Sequence, residues 1–315
     1  MQAIAASGLG EVRALCEPER GALDAARAIA PDAQVVGSFG SLLELPLDGI
    51  VIATPSAQHA AQAEAALERG CAVFCQKPLG RNAAEVKRVV DAAARNDRLL
   101  GVDLSYRRTA AVAAMREQLR AGALGRPFAA TLVFHNAYGP DKPWFYDPKL
   151  SGGGALIDLG VHLVDTLLWL LDFPAVERVS SQLFAGGEPL RDRDAQVEDY
   201  VAAQMRLAGG VEVQLACSWR LHAGCDCVIE ASLYGSAGGI TFRNEHGSFY
   251  DFSTHVFHGT AREQLVAPPD DWGGRSAVAW VQQLTQGRNF DRSSLELLPV
   301  ARAIDLIYDS AGGVL

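Results

Sequence analysis

The sequence has 315 residues, 49% hydrophobic and 21% charged, the balance of a globular chain long enough for two packed domains. Its formal net charge of -9 and pI near 5.3 exclude nucleic acid as a partner, because phosphate backbones require a basic face. The most apolar stretch, residues 155–171, is interrupted by Asp158, His162 and Asp165 and falls short of the roughly 20 residues a bilayer needs, so it reads as a buried helix and no membrane contact is expected.

The opening residues MQAIAASGLGEVRALCEP lack a basic start followed by an apolar run, so no secretion signal is read and a cytoplasmic protein is expected. Six cysteines, at 16, 71, 75, 217, 225 and 227, do not have the paired spacing of a structural zinc site and read as reduced thiols. His222, Cys225 and Cys227 are close in sequence, but alternate strand residues share a face and a buried thiol is ordinary there. No metal is expected.

In chain order, residues 12–16 read as a strand, 18–30 as a helix ended by Pro31, 34–37 as a strand, and 49–53 (GIVIA) as an uncharged, β-branched strand expected to lie centrally. A helix over 57–69 stops at Gly70, where a left-handed cap belongs. Strand 71–76 follows, then a helix introduced by the Asn82/Glu85 capping box, then strand 99–102. Alternation of this kind predicts strand–helix–strand units on a parallel, Rossmann-like α/β sheet over residues 1–105.

Beyond residue 105 the texture changes. One helix, 110–121, precedes strands at 128–136, 176–185, 200–207, 211–219, 227–234 and 239–243, with Ala208-Gly209-Gly210 as a hairpin turn. Residues 106–315 are therefore expected to form an α+β domain, an open antiparallel sheet with helices on one face. An exposed sheet face of that kind suits pairing with a second copy, so a homo-oligomer is expected.

In a dinucleotide-binding fold the first strand runs into G-x-G-x-x-G and a helix, and an acidic residue closes the second strand about 20 residues later. Here Glu17 closes the first strand present, and residues 3–6 read as the tail of the preceding helix. Gly8 and Gly10 follow a helix and precede a strand, the reverse of the required order. Three arrangements accommodate this: the strand and loop lie upstream of Met1, the flanking strands close on each other, or the cofactor site is degenerate. The first is the expectation, because every later element reads as intact.

Two segments carry candidate chemistry. Lys77 follows a buried strand and precedes Pro78, at the strand's carboxyl end, where ligands of parallel sheets gather. In SGGGALIDLGVHLVDTLLWLL, Asp158, His162, Asp165 and Trp169 fall at i, i+4, i+7 and i+11 on an otherwise apolar helix. Burying an Asp and a His there costs stability unless they are partnered. The two residues are either an internal pair or an acid–base pair facing a cleft, and the second reading is preferred.

CQKPLG resembles the Glu-Lys-Pro motif of the glucose–fructose oxidoreductase and inositol dehydrogenase family, with Gln76 in place of the glutamate. GGGALIDLGVH is similar to that family's glycine, aspartate and histidine motif. IATPSAQHA, GVDLSYRR and the loop 144–147 are similar to its nicotinamide turn, its entry to the second domain and its loop before the glycines. The resemblance implies an NAD(P)-dependent oxidoreductase acting on a secondary hydroxyl of a sugar, cyclitol or polyol. By that resemblance Lys77 hydrogen-bonds the reacting hydroxyl, Asp158 orients it and His162 is the general acid or base. Glu17 would hold the adenosine ribose and favour NAD over NADP, with Arg20 weakening that preference, while Thr54, Pro55, His59 and Gln76 would line the nicotinamide half. Tyr106, Arg107, Trp144, Tyr146 and Arg220 are the candidate substrate contacts. Two other readings stand beside this one: transient use of the nicotinamide to cleave glycosides, and a non-catalytic binding protein.

Overall fold

Residues 1–311 are described in a computed structural model, in which the chain divides into two compact units. The first comprises Met1–Gly80, Ala84–Ser105 and Gly273–Leu295; the second comprises Arg81–Ala83, Tyr106–Trp272 and the chain from Glu296 on. A division by chain order at residue 105 is thus crossed by two segments.

In the first unit short apolar runs become parallel strands because helices return the chain to the same end each time. The order is α1 (Gln2–Ser7), β1 (Ala14–Leu15), α2 (Arg20–Ile29), β2 (Gln34–Val35), α3 (Phe39–Leu43), β3 (Gly49–Ile52), α4 (Ser56–Glu68), β4 (Ala72–Cys75), α5 (Ala83–Arg95) and β5 (Leu100–Val102). These strands form two sheets, a parallel pair β1-β2 and a parallel trio β3-β4-β5. The central strand of the trio is β4, buried along its whole length. The expectation that GIVI is central is corrected: β3 is an edge, with Val51 45% exposed. Its apolar run suits a strand flanked on both sides, and among the described residues the second neighbour is absent.

One face of the trio is covered from far along the chain. In α9 (Arg275–Gln286) the Trp280 ring packs 5.7 Å from Phe74, and a Cβ on Gly49 or Gly101 would lie 2.6 or 2.8 Å from the indole. Both strands need glycine there so that the ring can approach the backbone.

The second unit is built on nine strands: β6 (Pro127–Asn136), β7 (Val176–Ala185), β8 (Glu188–Pro189), β9 (Tyr200–Leu207), β10 (Val211–Ser218), β11 (Cys227–Gly235), β12 (Gly239–Asn244), β13 (Phe252–His258) and β14 (Ala261–Val266). Their order across the sheet is β14-β13-β12-β11-β6-β10-β9-β7-β8. The expected antiparallel sheet is instead mixed, since β6 and β10 run parallel. The long crossover between them, which includes a helix, permits that pairing where a hairpin could not. The turn at Gly209 and Gly210, both at positive φ, joins β9 to β10 as a hairpin.

Strand alternation puts Leu132, Phe134, Leu215, Ile229 and Phe242 into one core with α6 (Ala110–Arg120), α8 (Val161–Leu170) and α10 (Leu297–Asp309). The apolar run from Pro148 to Leu170 has the length and composition of a membrane span, but 83% of its apolar window is buried within the fold. It is a core helix. Among the described residues no group of three or more His, Cys, Asp or Glu could hold a metal, and all six cysteines are free thiols.

Candidate active site

In the first unit the candidate cofactor residues follow strand carboxyl ends. Glu17 lies just after β1, where its Oε1 accepts the Glu19 N–H at 2.8 Å. Arg20 opens α2 and is exposed. Glu19 itself caps the helix through the N–H groups of Gly21 and Ala22, so the acidic turn is held by its own backbone.

Thr54 and Pro55 follow β3, and Gln76 and Lys77 follow β4. The Thr54 hydroxyl donates to Gln62 Oε1 at 2.8 Å, and the Gln76 amide donates to Asp103 at 3.0 Å. Gln76 thus binds the end of its own strand to the end of β5. His59 is buried at 2% exposure, its Nδ1 2.7 Å from the Pro78 carbonyl and its Nε2 2.6 Å from that of Thr54. Its imidazole ties the two loops together, and burial holds its pKa below the ordinary histidine value.

These residues fit a dinucleotide at its ribose and nicotinamide ends, because an acidic group and polar loop atoms stand where parallel strands terminate. Residues 1–315 contain no G-x-G-x-x-G between a strand and a helix, the turn that would hold the pyrophosphate.

In the second unit α7 (Pro148–Ser151) ends at Gly152, whose φ of +86° suits glycine, and a wide π turn, Leu156–Gly160, leads into α8. Asp158 sits in that turn and His162 in the first turn of α8. Such bulges in a helix cluster at functional sites. The Trp219 indole N–H donates to Asp158 Oδ2 at 3.1 Å. The Tyr106 ring lies 4.9 Å from the His162 ring. Asp158 and His162 are both partly buried, so each side chain is steered by an aromatic neighbour while remaining partly accessible.

One of the candidate substrate contacts, Tyr146, packs on the same indole, and Arg220 and Trp144 lie nearby in sequence or contact. Tyr146 packs edge-on to Trp219 at 5.6 Å and donates its hydroxyl proton to the Pro140 carbonyl. The Arg220 guanidinium lies 5.1 Å from the Tyr146 ring and donates to its hydroxyl at 3.3 Å. Trp144 stacks on Phe145 at 3.8 Å.

Tyr106 and Arg107, also read as substrate contacts, are placed differently. Tyr106 is 6% exposed among Phe134, Phe242, Phe252 and Trp272, and burial raises its phenol pKa. Arg107 grips Asp165 through two hydrogen bonds of 2.6 and 2.9 Å and reaches Glu296 at 2.5 Å. The i, i+4, i+7, i+11 stripe therefore separates by role: Asp165 anchors Arg107, and Trp169 lies under the Arg116 guanidinium at 3.6 Å.

Two residues of this site were not singled out from sequence, Trp219 and Glu198. Trp219 directly follows β10, next to Arg220, and only the continuation of that strand's buried parity hints at an inward role. Glu198, whose carboxylate accepts from the Gly154 and Leu156 N–H groups and the Tyr308 hydroxyl, gives no signal in the sequence, because all these partners are more than 40 residues away.

Family comparisons agree with this architecture. Residues 1–104 match the model described as "Oxidoreductase family, NAD-binding Rossmann fold", and residues 112–241 match the GFO/IDH/MocA C-terminal domain. The 1,5-anhydro-D-fructose reductase of Ensifer adhaerens is 34% identical over 323 residues, covering 91% of this chain and 92% of that protein. The levoglucosan dehydrogenase of Pseudarthrobacter phenanthrenivorans is 31% identical over 215 residues, 62% of this chain; the match spans 55% of that relative's length. A solved 3-ketoreductase from Actinomadura kijaniata shares the fold, with a TM-score of 0.83 at 22% identity, over 98% of this chain and 92% of that one. With both halves matched in order and a relative aligned over nearly its full length, the chain belongs to the Gfo/Idh/MocA family of oxidoreductases.

Proposed function

We propose that the protein transfers a hydride between a nicotinamide cofactor and a secondary hydroxyl of a sugar, cyclitol or related polyol. The observation that carries this reading is the start of α8, where a carboxylate held by an indole and an imidazole backed by a phenol ring stand about one turn apart. The names of the relatives, reductase and dehydrogenase, support the same reaction class.

Oxidising a secondary alcohol requires the hydroxyl proton to leave as well as the hydride, and a histidine titrates near the working pH. His162 takes that proton in the oxidative direction and returns it in the reductive one. Asp158 orients the hydroxyl, and the Lys77 ammonium stabilises the developing alkoxide. A bound nicotinamide supplies the hydride chemistry.

Glu17 favours NAD over NADP, since a carboxylate accepts from a ribose hydroxyl and repels a 2'-phosphate; exposed Arg20 tempers that preference. Thr54, Pro55 and Gln76 serve the nicotinamide half, with His59 holding their loops. Trp144, Tyr146 and Arg220 serve the substrate, while Tyr106 and Arg107 act from behind it. A second copy of this chain is the partner proposed for the sheet face away from the helices, where Gln182, Gln204 and Gln214 are exposed. Six free thiols support a reducing, cytoplasmic setting.

A substrate panel followed by NADH absorbance, on wild type and His162→Asn, tests the reading. Turnover falls at least about a hundredfold in the variant, the usual scale for a general base. A near-normal rate rejects the role given to His162.

A further inference from the structure

The last of the three glycines before Asp158 is held by a buried carboxylate that the proposed chemistry does not use. Glu198, just ahead of β9, is 1% exposed. Its carboxylate accepts from the Gly154 N–H and the Leu156 N–H, each at 3.0 Å, and from the Tyr308 hydroxyl at 2.9 Å. Its main-chain carbonyl accepts the Ala155 N–H at 3.0 Å. One residue therefore satisfies three consecutive N–H groups at the start of the helical run, groups that have no partner within the helix itself. A negative charge is also favourable at that end of the dipole.

The approach is close enough to dictate sequence. A Cβ on Gly154 would lie 1.8 Å from the Glu198 carbonyl oxygen, and one on Gly153 would lie 2.0 Å from the Tyr308 hydroxyl. Gly153 and Gly154 are thus explained by what presses on them from within this unit.

The consequence reaches Asp158 from two sides. The Gly154 carbonyl, on the residue whose N–H Glu198 holds, accepts the Asp158 N–H at 3.1 Å. The neighbouring Asp199 carbonyl accepts the Trp219 N–H at 2.7 Å, and the Trp219 indole in turn donates to the Asp158 carboxylate. The dipeptide Glu198-Asp199 fixes both the backbone under Asp158 and the donor that aims its side chain. Burial raises the Glu198 pKa, and the N–H groups and the Tyr308 hydroxyl oppose that rise by favouring the anion.

We infer that Glu198 is a positioning residue, whose buried carboxylate sets the π turn and thereby the placement of Asp158 and His162. The inference rests on the reading of those two residues as the reacting groups. Glu198→Gln is nearly isosteric and its amide oxygen can take the place of Oε1, but its NH2 then opposes the Gly154 N–H, which Oε2 accepts at 3.0 Å, and the negative charge is lost.

The test combines kinetics with the indole N–H resonance of Trp219, assigned by its loss in Trp219→Phe. In Glu198→Gln the resonance moves toward its position in Asp158→Asn, and kcat falls about 10–100-fold with KM within about threefold, as for a misplaced group. Val256→Ala, a core change on β13 that likewise lowers the melting temperature, leaves both unmoved. Should Glu198→Gln fail to fold, Glu198→Asp and Tyr308→Phe take its place, with smaller shifts in the same direction.

An unmoved resonance and a normal kcat in a folded Glu198 variant, or equal effects in Val256→Ala, overturn the inference. Near-normal turnover in Asp158→Asn and His162→Asn would instead overturn the functional reading beneath it, while the resonance still reports whether Glu198 positions Asp158.

Discussion

The Tyr106 ring lies against His162 with its centroid 4.9 Å away and the planes inclined by 31°. The phenol ring is itself wedged among Phe242, Phe252 and Trp272, so the imidazole rests on an immobile support. Tyr106→Phe keeps the ring and leaves kcat within about threefold of wild type. Tyr106→Leu removes the flat support and lowers kcat about tenfold or more if His162 has the role proposed for it, since small displacements of a reacting group are costly. Steady-state kinetics on the best substrate of the panel compares the two.

Arg107 and Asp165 form a buried ion pair, with side chains 15% and 2% exposed. Arg107→Met strands the buried Asp165 carboxylate and destabilises by about 3–5 kcal/mol, whereas Asp165→Leu leaves Arg107 paired with Glu296 and costs less. The double variant is less damaged than the sum of the two, because both buried charges have gone and Glu296, with a side chain 33% exposed, keeps its access to water. Urea unfolding of the three variants gives the coupling energy; simple additivity would show that the pair does not act as a unit.

Glycine substitutions separate crowded positions from open ones. Gly154→Ala drives a methyl into the Glu198 carbonyl and costs about 3 kcal/mol or more. Gly37→Ala meets nothing within 4 Å and has no positive φ, so it stays within about 0.5 kcal/mol of wild type. Thermal melts of the two variants suffice.

Burial lowers the pKa of His59, and of His135 and His255 as well. Below pH about 6.5 the unfolded chain therefore binds protons that the folded chain refuses, and stability is lost as pH falls through that value toward the folded pKa. His59→Gln removes one such group and flattens the fall in melting temperature between pH 7 and 5. A slope unchanged from wild type would show that His59 is not held neutral.

Much of this was legible in the sequence, because periodicity reports which faces are buried. The strands at Val176–Ala185 and Tyr200–Leu207 and the hairpin between Tyr200 and Ser218 lie where their alternation places them. Three features were hidden. Strands β13 and β14 escape a reading by alternation because FSTHVFH carries three consecutive polar residues that are nevertheless buried, and AREQLV is largely exposed. The π turn leaves no mark, since ALIDLGVH reads as continuous helix and the extra residue per turn is a backbone property. The setting of Arg107 is hidden because its partners, 58 and 189 residues away, cannot be seen locally.

Trp280 bears on how the chain can be dissected. A fragment ending near Ser105 would contain every strand of the first unit, yet it would lack the indole that fills the space above Gly49 and Gly101 beside Phe74, and also the Arg288 carbonyl that accepts the Leu99 N–H. Such a fragment would expose its apolar floor to water and aggregate. Limited proteolysis that releases a stable nucleotide-binding half must leave it as two peptides held together without a covalent link.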